Sequence, residues 1–344
     1  MKKILPPEWA QQQFVQLTWP HEQTDWVDML DEVNQCFVEI ACHIIQYENL
    51  LIVCKDSKQI KVLLKEADLS KITFMELPSN DTWARDHGGI TVLENGKKVI
   101  YDFTFNGWGK KFEAELDNRI TNALFDKRVF GIDAEYKNCL DFILEGGSIE
   151  SDGAGTLLTT SACLLSDNRN DLSKEAVESK LKDYFGLNRV LWLENGYLAG
   201  DDTDSHIDTL ARFCDVNTIA YVQCDDVADE HYSELKKMEE ELMQFKTLSG
   251  TLYRLIPLPM ADAVYEDGVR LPATYANFLI INGAVLMPTY QSPKDEIALK
   301  QLEQAFPERK IIGINCLPLI KQHGSLHCVT MQYANRRGAT LAPK

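Results

Sequence analysis

No Cys-x-x-Cys pair occurs in the 344 residues, although nine cysteines are present, at positions 36, 42, 54, 139, 163, 214, 224, 316 and 328. An odd, scattered set of this kind supplies neither a disulfide framework nor the paired ligands of a structural zinc site, so the thiols are expected to be reduced and the chain cytoplasmic. No G-x-G-x-x-G follows a strand pattern, and neither a Walker lysine nor H-E-x-x-H is found, which removes the usual nucleotide and zinc-hydrolase signatures. Long apolar runs are missing too. Met1-Lys2-Lys3 leads to Pro6-Pro7 with no stretch of signal-peptide length behind it, and no window approaches a membrane span, so neither export nor insertion is expected. Basic residues are in deficit, 35 against 52 acidic, for a formal charge of -17. That balance speaks against a nucleic-acid partner and favours small cationic ligands through the summed field.

What is present suffices for a large core, since 45% of the residues are hydrophobic. Apolar residues at Val27, Leu30, Val33, Phe37, Ile40 and Ile44 step by three and four, which predicts a helix with one buried stripe. Further helices are expected over residues 57–67, 113–127, 172–184, 230–245 and 293–306. The last has Ser292 as cap, Pro293 at the first position and Asp295 in the first turn. Strand patterns fall over residues 50–54, 72–77, 99–105, 156–160, 190–193, 218–222, 252–258, 278–286 and 311–314. No Pro-, Gly- or Ser-rich linker interrupts this alternation. The reading is one α/β domain over residues 1–344, made of repeated units without evident sequence identity.

Four polar stretches stand out against this background. Asn80-Asp81-Thr82-Trp83-Ala84-Arg85-Asp86-His87-Gly88-Gly89 follows a strand and offers an aromatic face, a guanidinium and two carboxylates; it reads as a ligand loop or as a solvated turn with an internal Asp-Arg pair. Glu145 leaves the apolar run Phe142-Ile143-Leu144 and meets Gly146-Gly147, where backbone can approach closely; the alternative is a plain turn acid. In the acidic stretch from Gly200 to Phe213, His206 and Asp208 project to one side if residues 205–210 are extended, a base beside a carboxylate. Asp201, Asp202, Asp204 and His206 could instead ligate a metal, but the run lacks the glycine and closing glutamate of a calcium loop. Finally, His323-Gly324-Ser325-Leu326-His327-Cys328-Val329-Thr330 puts a cysteine where a loop enters a β-prone run. A cysteine there is either a small buried hydrophobe or a nucleophile.

Trp83-Ala84-Arg85-Asp86, Glu145-Gly146-Gly147, His206-x-Asp208 and His327-Cys328-x-Thr330-x-Gln332 occur in the order and approximate spacing found in agmatine deiminases, which resemble the Porphyromonas-type peptidylarginine deiminases. Pro6-Pro7-Glu8-Trp9-Ala10, Phe105-Asn106-Gly107-Trp108-Gly109 and Tyr275-Ala276-Asn277-Phe278 are similar to further signatures of that family, so the resemblance spans nearly the whole chain. Departures are His87-Gly88-Gly89 in place of Thr-Gly-Pro, Thr209 in place of Glu, and His323-Gly324-Ser325-Leu326 in place of a glycine run with Asn-Ile. They bear on substrate choice and leave the reacting groups intact.

The resemblance implies a five-bladed pseudo-symmetric α/β propeller of repeated ββαβ-type units with an axial active site. It implies Cys328 as nucleophile, His206 as acid-base, and Asp86, Glu145 and Asp208 as carboxylates around a guanidinium, with Trp83 and Trp108 as pocket walls. A guanidinium is planar, forked and charged at any ordinary pH, so carboxylates are the acceptors that hold it. The implied reaction is hydrolytic deimination of a small cationic guanidino substrate, foremost agmatine, with no metal or organic cofactor. Other readings are deimination of arginine or peptidyl arginine, amidino transfer, and a guanidine- or polyamine-binding protein without catalysis. A homo-oligomer is compatible with the sequence, which carries no local interface signature.

Overall fold

The computed structural model describes residues 2–335; residue 1 and residues 336–344, the ends of the expected domain, lie outside the described residues. Among the described residues the chain forms a mixed α/β fold of five sheets with three or four strands each, plus a two-stranded hairpin, Tyr265–Glu266 with Val269–Arg270. Four sheets repeat one scheme, in which two antiparallel strands are followed by a helix and a strand parallel to the second. The crossover helices are Ile120–Asp126, Lys174–Phe185, Tyr232–Leu242 and Lys294–Ala305. In the remaining sheet, Thr330–Ala334 from the far end of the chain runs antiparallel to Gln12–Thr18. That strand pairs in parallel with Asn49–Cys54 across helix Leu30–Ile44, and Asn49–Cys54 pairs with Ile72–Glu76.

Local signals explain most of these elements. Val33, Phe37, Ile40 and Ile44 are buried along Leu30–Ile44 as their spacing predicts, whereas Val27 is exposed in a separate 3-10 turn. Ser292 Oγ accepts from Lys294 N at 3.0 Å and Asp295 Oδ2 accepts from Ser292 N at 3.1 Å, a reciprocal cap that starts the last long helix. Other expectations need correction. Residues 113–127 become helical only from Asp117, because Asn80 Oδ1 accepts from Leu116 N and Asp117 Oδ1 accepts from Asn80 N, both at 2.7 Å, pinning the preceding segment to a loop. Residues 57–67 are helical only over Ser57–Leu63. Residues 278–286 are two antiparallel strands, Leu279–Ile281 and Ala284–Thr289, turning at Asn282-Gly283 with Gly283 at φ +82°. Strands Gln12–Thr18, Ile90–Glu94, Glu135–Ile143, Ile149–Ser151 and Ala211–Asp215 had no expected counterpart.

The connections between consecutive sheets position the polar stretches. Asp86 lies between Ile72–Glu76 and Ile90–Glu94, and Glu145 between Glu135–Ile143 and Ile149–Ser151. His206 and Asp208 lie between Arg189–Leu193 and Ala211–Asp215, Asn277 between Arg254–Pro259 and Leu279–Ile281, and Cys328 between Lys310–Asn315 and Thr330–Ala334. Five such connections therefore each contribute a polar group to one place. Among the described residues no helix is long and apolar enough to cross a membrane.

Candidate active site

Short contacts tie these five connections together. Arg85 N donates to Cys328 O at 3.1 Å, Gly147 N to Asp86 Oδ1 at 3.1 Å, and His206 Nδ1 lies 3.7 Å from Asp86 Oδ1. His327 Nδ1 meets Asp208 Oδ2 at 2.7 Å, and Asn277 Oδ1 accepts from His327 N at 2.8 Å and from Cys328 Sγ at 3.5 Å. All of these side chains are buried. Residues 205–210 do not meet the condition of being extended: Ile207–Thr209 is a 3-10 turn, closed by Thr209 Oγ1 donating to His206 O at 2.8 Å. His206 and Asp208 nevertheless share a destination, because both approach Gly147.

The site is a cluster of acids in which Glu145 faces Arg169 and Asp86 is held by neutral donors. Burial, then Asp208 and Glu145, push the Asp86 carboxyl well above the ordinary range, even though Trp108 Nε1 at 3.0 Å and Gly147 N donate to it. Burial likewise raises Glu145, whose Oε1 lies 2.7 Å from Arg169 Nε as an ion pair without directed hydrogen-bond geometry. Asp208 is lowered in spite of its burial, through the hydrogen bond from His327. Burial pushes His206 down to about 4, so its ring is neutral at pH 7, and both ring nitrogens lack hydrogen-bond partners. Burial, Asp208 and Asp86 together raise the Cys328 thiol well above its usual value. Buried acceptors without donors, beside a protonated thiol, form a site that a cation would complete.

A cavity of about 550 Å³ leads to this cluster and is lined at its inner end by Trp83, Asp86, Trp108 and Cys328. Trp83 and Trp108 meet edge to face with centroids 6.0 Å apart. Trp108 stands in a left-handed turn in which Gly107, Trp108, Gly109 and Lys110 have φ of 63°, 52°, 93° and 65°. Gly324 passes beneath Trp83, where an added Cβ would come within 2.1 Å of the indole. Glycine is also required at 147, because a Cβ there would lie 2.6 Å from His206 Nδ1, 2.9 Å from Asp86 Oδ1 and 3.2 Å from Asp208 Oδ2. Gly147→Ala is expected to lower kcat/KM by at least about tenfold, roughly 1.4 kcal/mol of barrier, and to lower Tm modestly because the three side chains must move apart. Unchanged kinetics in this variant would show that the three side chains do not have to converge.

Asn277, Arg169, Glu8 and His327 gained no role from sequence reasoning, although all but Arg169 lie within the quoted signatures; only their long-range partners reveal what they do. The loop acids once considered for a metal are engaged elsewhere: Asp201 accepts from Thr203 and Ser205, while Asp204 pairs with Lys111 and Arg169 at 3.0 Å each. Two other triads bring ligand atoms within 4.8 Å of one another, Glu145 with Cys163 and His206, and Glu8 with Glu150 and His327. Each already has a guanidinium against a carboxylate, Arg169 in the first and Arg212 in the second, where a metal ion would be repelled.

The family profile described as Porphyromonas-type peptidyl-arginine deiminase matches residues 4–334. A protein of Marinomonas sp. named as a candidate agmatine deiminase is 32% identical, with 95% of this chain and 93% of the relative covered. Among solved structures, a candidate arginine deiminase of Porphyromonas gingivalis is 56% identical with a TM-score of 0.94, covering 97% of this chain and 99% of the other. Agmatine deiminase of C. jejuni, solved with substrate bound, is 43% identical with a TM-score of 0.91 and 97% coverage of both chains.

Proposed function

This chain belongs to the Porphyromonas-type peptidyl-arginine deiminase family, and we propose that it hydrolyses agmatine to N-carbamoylputrescine and ammonia through a covalent cysteine intermediate. The observation that carries this reading is a cavity that ends at Cys328 and at Asp86, a buried carboxylate held by neutral donors, with the unpartnered Asp208 Oδ1 behind them. Agmatine hydrolases in the same fold support it, at 43% identity for the C. jejuni enzyme and 30% for that of Enterococcus faecalis. In the same reading the five sheets are blades of an α/β propeller, and residues 1–344 form one domain around its axis. Incubation with agmatine should release one ammonia for each N-carbamoylputrescine formed. Absence of turnover with agmatine would overturn the assignment.

The residues divide the chemistry by position and charge. Asp86 and Asp208 hold the guanidinium, Trp83 and Trp108 confine it, and Cys328 approaches the central carbon. The incoming cation offsets the anions that keep the thiol protonated, so the Cys328 proton can leave for His206. Thiolate attack forms the C–S bond, and His206 returns the proton to the departing nitrogen, which leaves as ammonia. Glu145, beside His206 and away from the cavity, stabilises the imidazolium that forms in passing. Water, deprotonated by His206, then adds to the S-alkylthiouronium carbon, and collapse expels the thiolate and frees the ureido product.

This charge logic predicts the pH behaviour of the empty site. With Cys328 raised by burial and two acids, and with a neutral His206 beside it, alkylation of Cys328 by iodoacetamide should accelerate only above the ordinary thiol pKa of about 8.5. An inflection near pH 6 would reveal a thiolate-imidazolium pair formed before substrate binds.

A further inference from the structure

None of the groups that line the cavity explains a second set of charges packed behind Cys328. Glu8, Arg85, Glu150, Asp208, Arg212 and His327 are all buried, and His327 is the member that joins this set to the site. Its Nδ1 lies 2.7 Å from Asp208 Oδ2 and its Nε2 lies 2.6 Å from Glu8 Oε2. Arg212 Nη2 donates to the same Glu8 oxygen at 2.9 Å and stands 3.0 Å from His327 Nε2; Arg85 Nη2 is 3.7 Å from it, and Arg212 Nε pairs with Glu150. Ile280 N donates to the other Glu8 oxygen at 2.6 Å, so that carboxylate is saturated with donors.

The two ring contacts fix where the protons are. A ring nitrogen and a carboxylate oxygen 2.6–2.7 Å apart need a hydrogen between them. Glu8 is held ionised independently of the ring, because Arg212 Nη2, Arg85 and Ile280 N all face its oxygens. Asp208 is lowered as well, so both shared hydrogens belong to the ring. Burial, Arg212 and Arg85 press His327 toward its neutral form, in which a bare Nε2 has Arg212 Nη2 as a donor at 3.0 Å, but that lone pair would still meet Glu8 Oε2 at 2.6 Å. The short contacts decide in favour of the charged ring.

We propose that His327 is a buried imidazolium that keeps Asp208 ionised and aimed at the guanidinium before substrate arrives, which makes it a positioning residue for the reaction proposed above. Asp208 has one oxygen on His327, while its Oδ1 is buried and without a hydrogen-bond partner. That free oxygen is the one left for a guanidinium N–H. Around Asp208 stand His206, Asp86, Cys328 and, further back, Arg212; the two acids of the site thus receive opposite treatment. Asp86 is held only by neutral donors, Trp108 and Gly147 N. Asp208 is held by a cation.

Histidine-selective ¹⁵N spectra of the wild-type protein test the charge directly, with the His327 signals assigned by their loss in His327→Gln. Both ring nitrogens should remain protonated from pH 6 to 9, and a ring with one bare nitrogen overturns the proposal. In kinetics, His327→Gln removes the cation, so the Asp208 pKa rises while guanidinium binding still needs the anion. For agmatine, kcat/KM at pH 7 should fall by about thirtyfold, mainly through KM, and its acidic limb should move up by at least about one pH unit. The deficit should therefore shrink toward pH 9. A loss confined to kcat and equal at every pH would mark a purely structural residue and sink the idea. Should His327→Gln not fold, the wild-type spectra assigned through Asp208→Asn settle the point. Failure of the wild type to turn over agmatine would instead refute the functional reading, while the protonation of His327 is read without substrate.

Discussion

Cys328→Ser is expected to lower turnover of agmatine by at least about 10⁴-fold, roughly 5 kcal/mol of barrier, while the protein keeps its Tm and binds the substrate. A hydroxyl in that place is a far weaker nucleophile than a thiolate, and it holds its proton far more tightly than a thiol, so the transfer to His206 that frees Cys328 is not matched by a serine. The side chain itself is small and accepted by its surroundings: Asn277 Oδ1, which takes the thiol hydrogen at 3.5 Å, would take a serine hydroxyl equally well. Cys42→Ser, at a half-buried cysteine outside the site, serves as the control and should stay within about twofold of the wild type. Mass spectrometry of enzyme quenched during turnover should place the amidino adduct on the peptide containing Cys328. Appreciable turnover by Cys328→Ser would rule out the covalent route.

The second large effect concerns the other end of the substrate. Agmatine should be converted with a kcat/KM at least about a hundredfold above that for arginine, a margin of about 2.7 kcal/mol. Arginine carries a carboxylate where agmatine has none, and that group needs a free cation near the cavity. Arg85 is not available, because it is buried, faces Glu8 and hydrogen-bonds to His327 O. Lys111 does line the cavity but is held by Asp204 Oδ1 at 3.0 Å and by Asp202 O at 2.6 Å. Asp25, Glu113 and Asp202 are among the other lining residues, an arrangement that repels a carboxylate and suits an ammonium. Equal efficiency with arginine or with a peptide ending in arginine would leave the deiminase chemistry standing and refute this selectivity. Lys111 would then be the first residue to replace.

Which parts of this were legible beforehand follows from the range of the interactions involved. The helix over Leu30–Ile44 and the strand Thr156–Thr160 are written in local periodicity, and they folded where the pattern put them except at Val27, which falls in a separate 3-10 turn. Strand Gln12–Thr18 was invisible because Gln12, Gln16 and Thr18 are buried along with its apolar residues, which erases the alternation of apolar and polar faces. Their polar atoms are met by distant groups: Gln16 accepts from Tyr333 Oη at 3.0 Å, and Thr18 meets His87 at 3.2 Å. Ala211–Asp215 was hidden similarly, its Arg212 wholly buried against Glu8 and Glu150.

By itself the sequence determined the α/β class and the family and proposed the reacting groups, since these rest on periodicity and on motifs a few residues long. Trp83, Asp86, Trp108 and Cys328 line one cavity, while Glu145, His206 and Asp208 lie behind them; that division came only with the fold. The tertiary structure alone decided protonation and pairing: Glu145 against Arg169, a neutral His206, Asp86 raised and Asp208 lowered. These depend on burial and on charges brought from elsewhere in the chain, as when His327 meets Asp208 across 119 positions and Glu8 across 319. A motif fixes which groups can react, but the field that sets their charge is a sum over neighbours in space, and those neighbours exist only once the five sheets have formed.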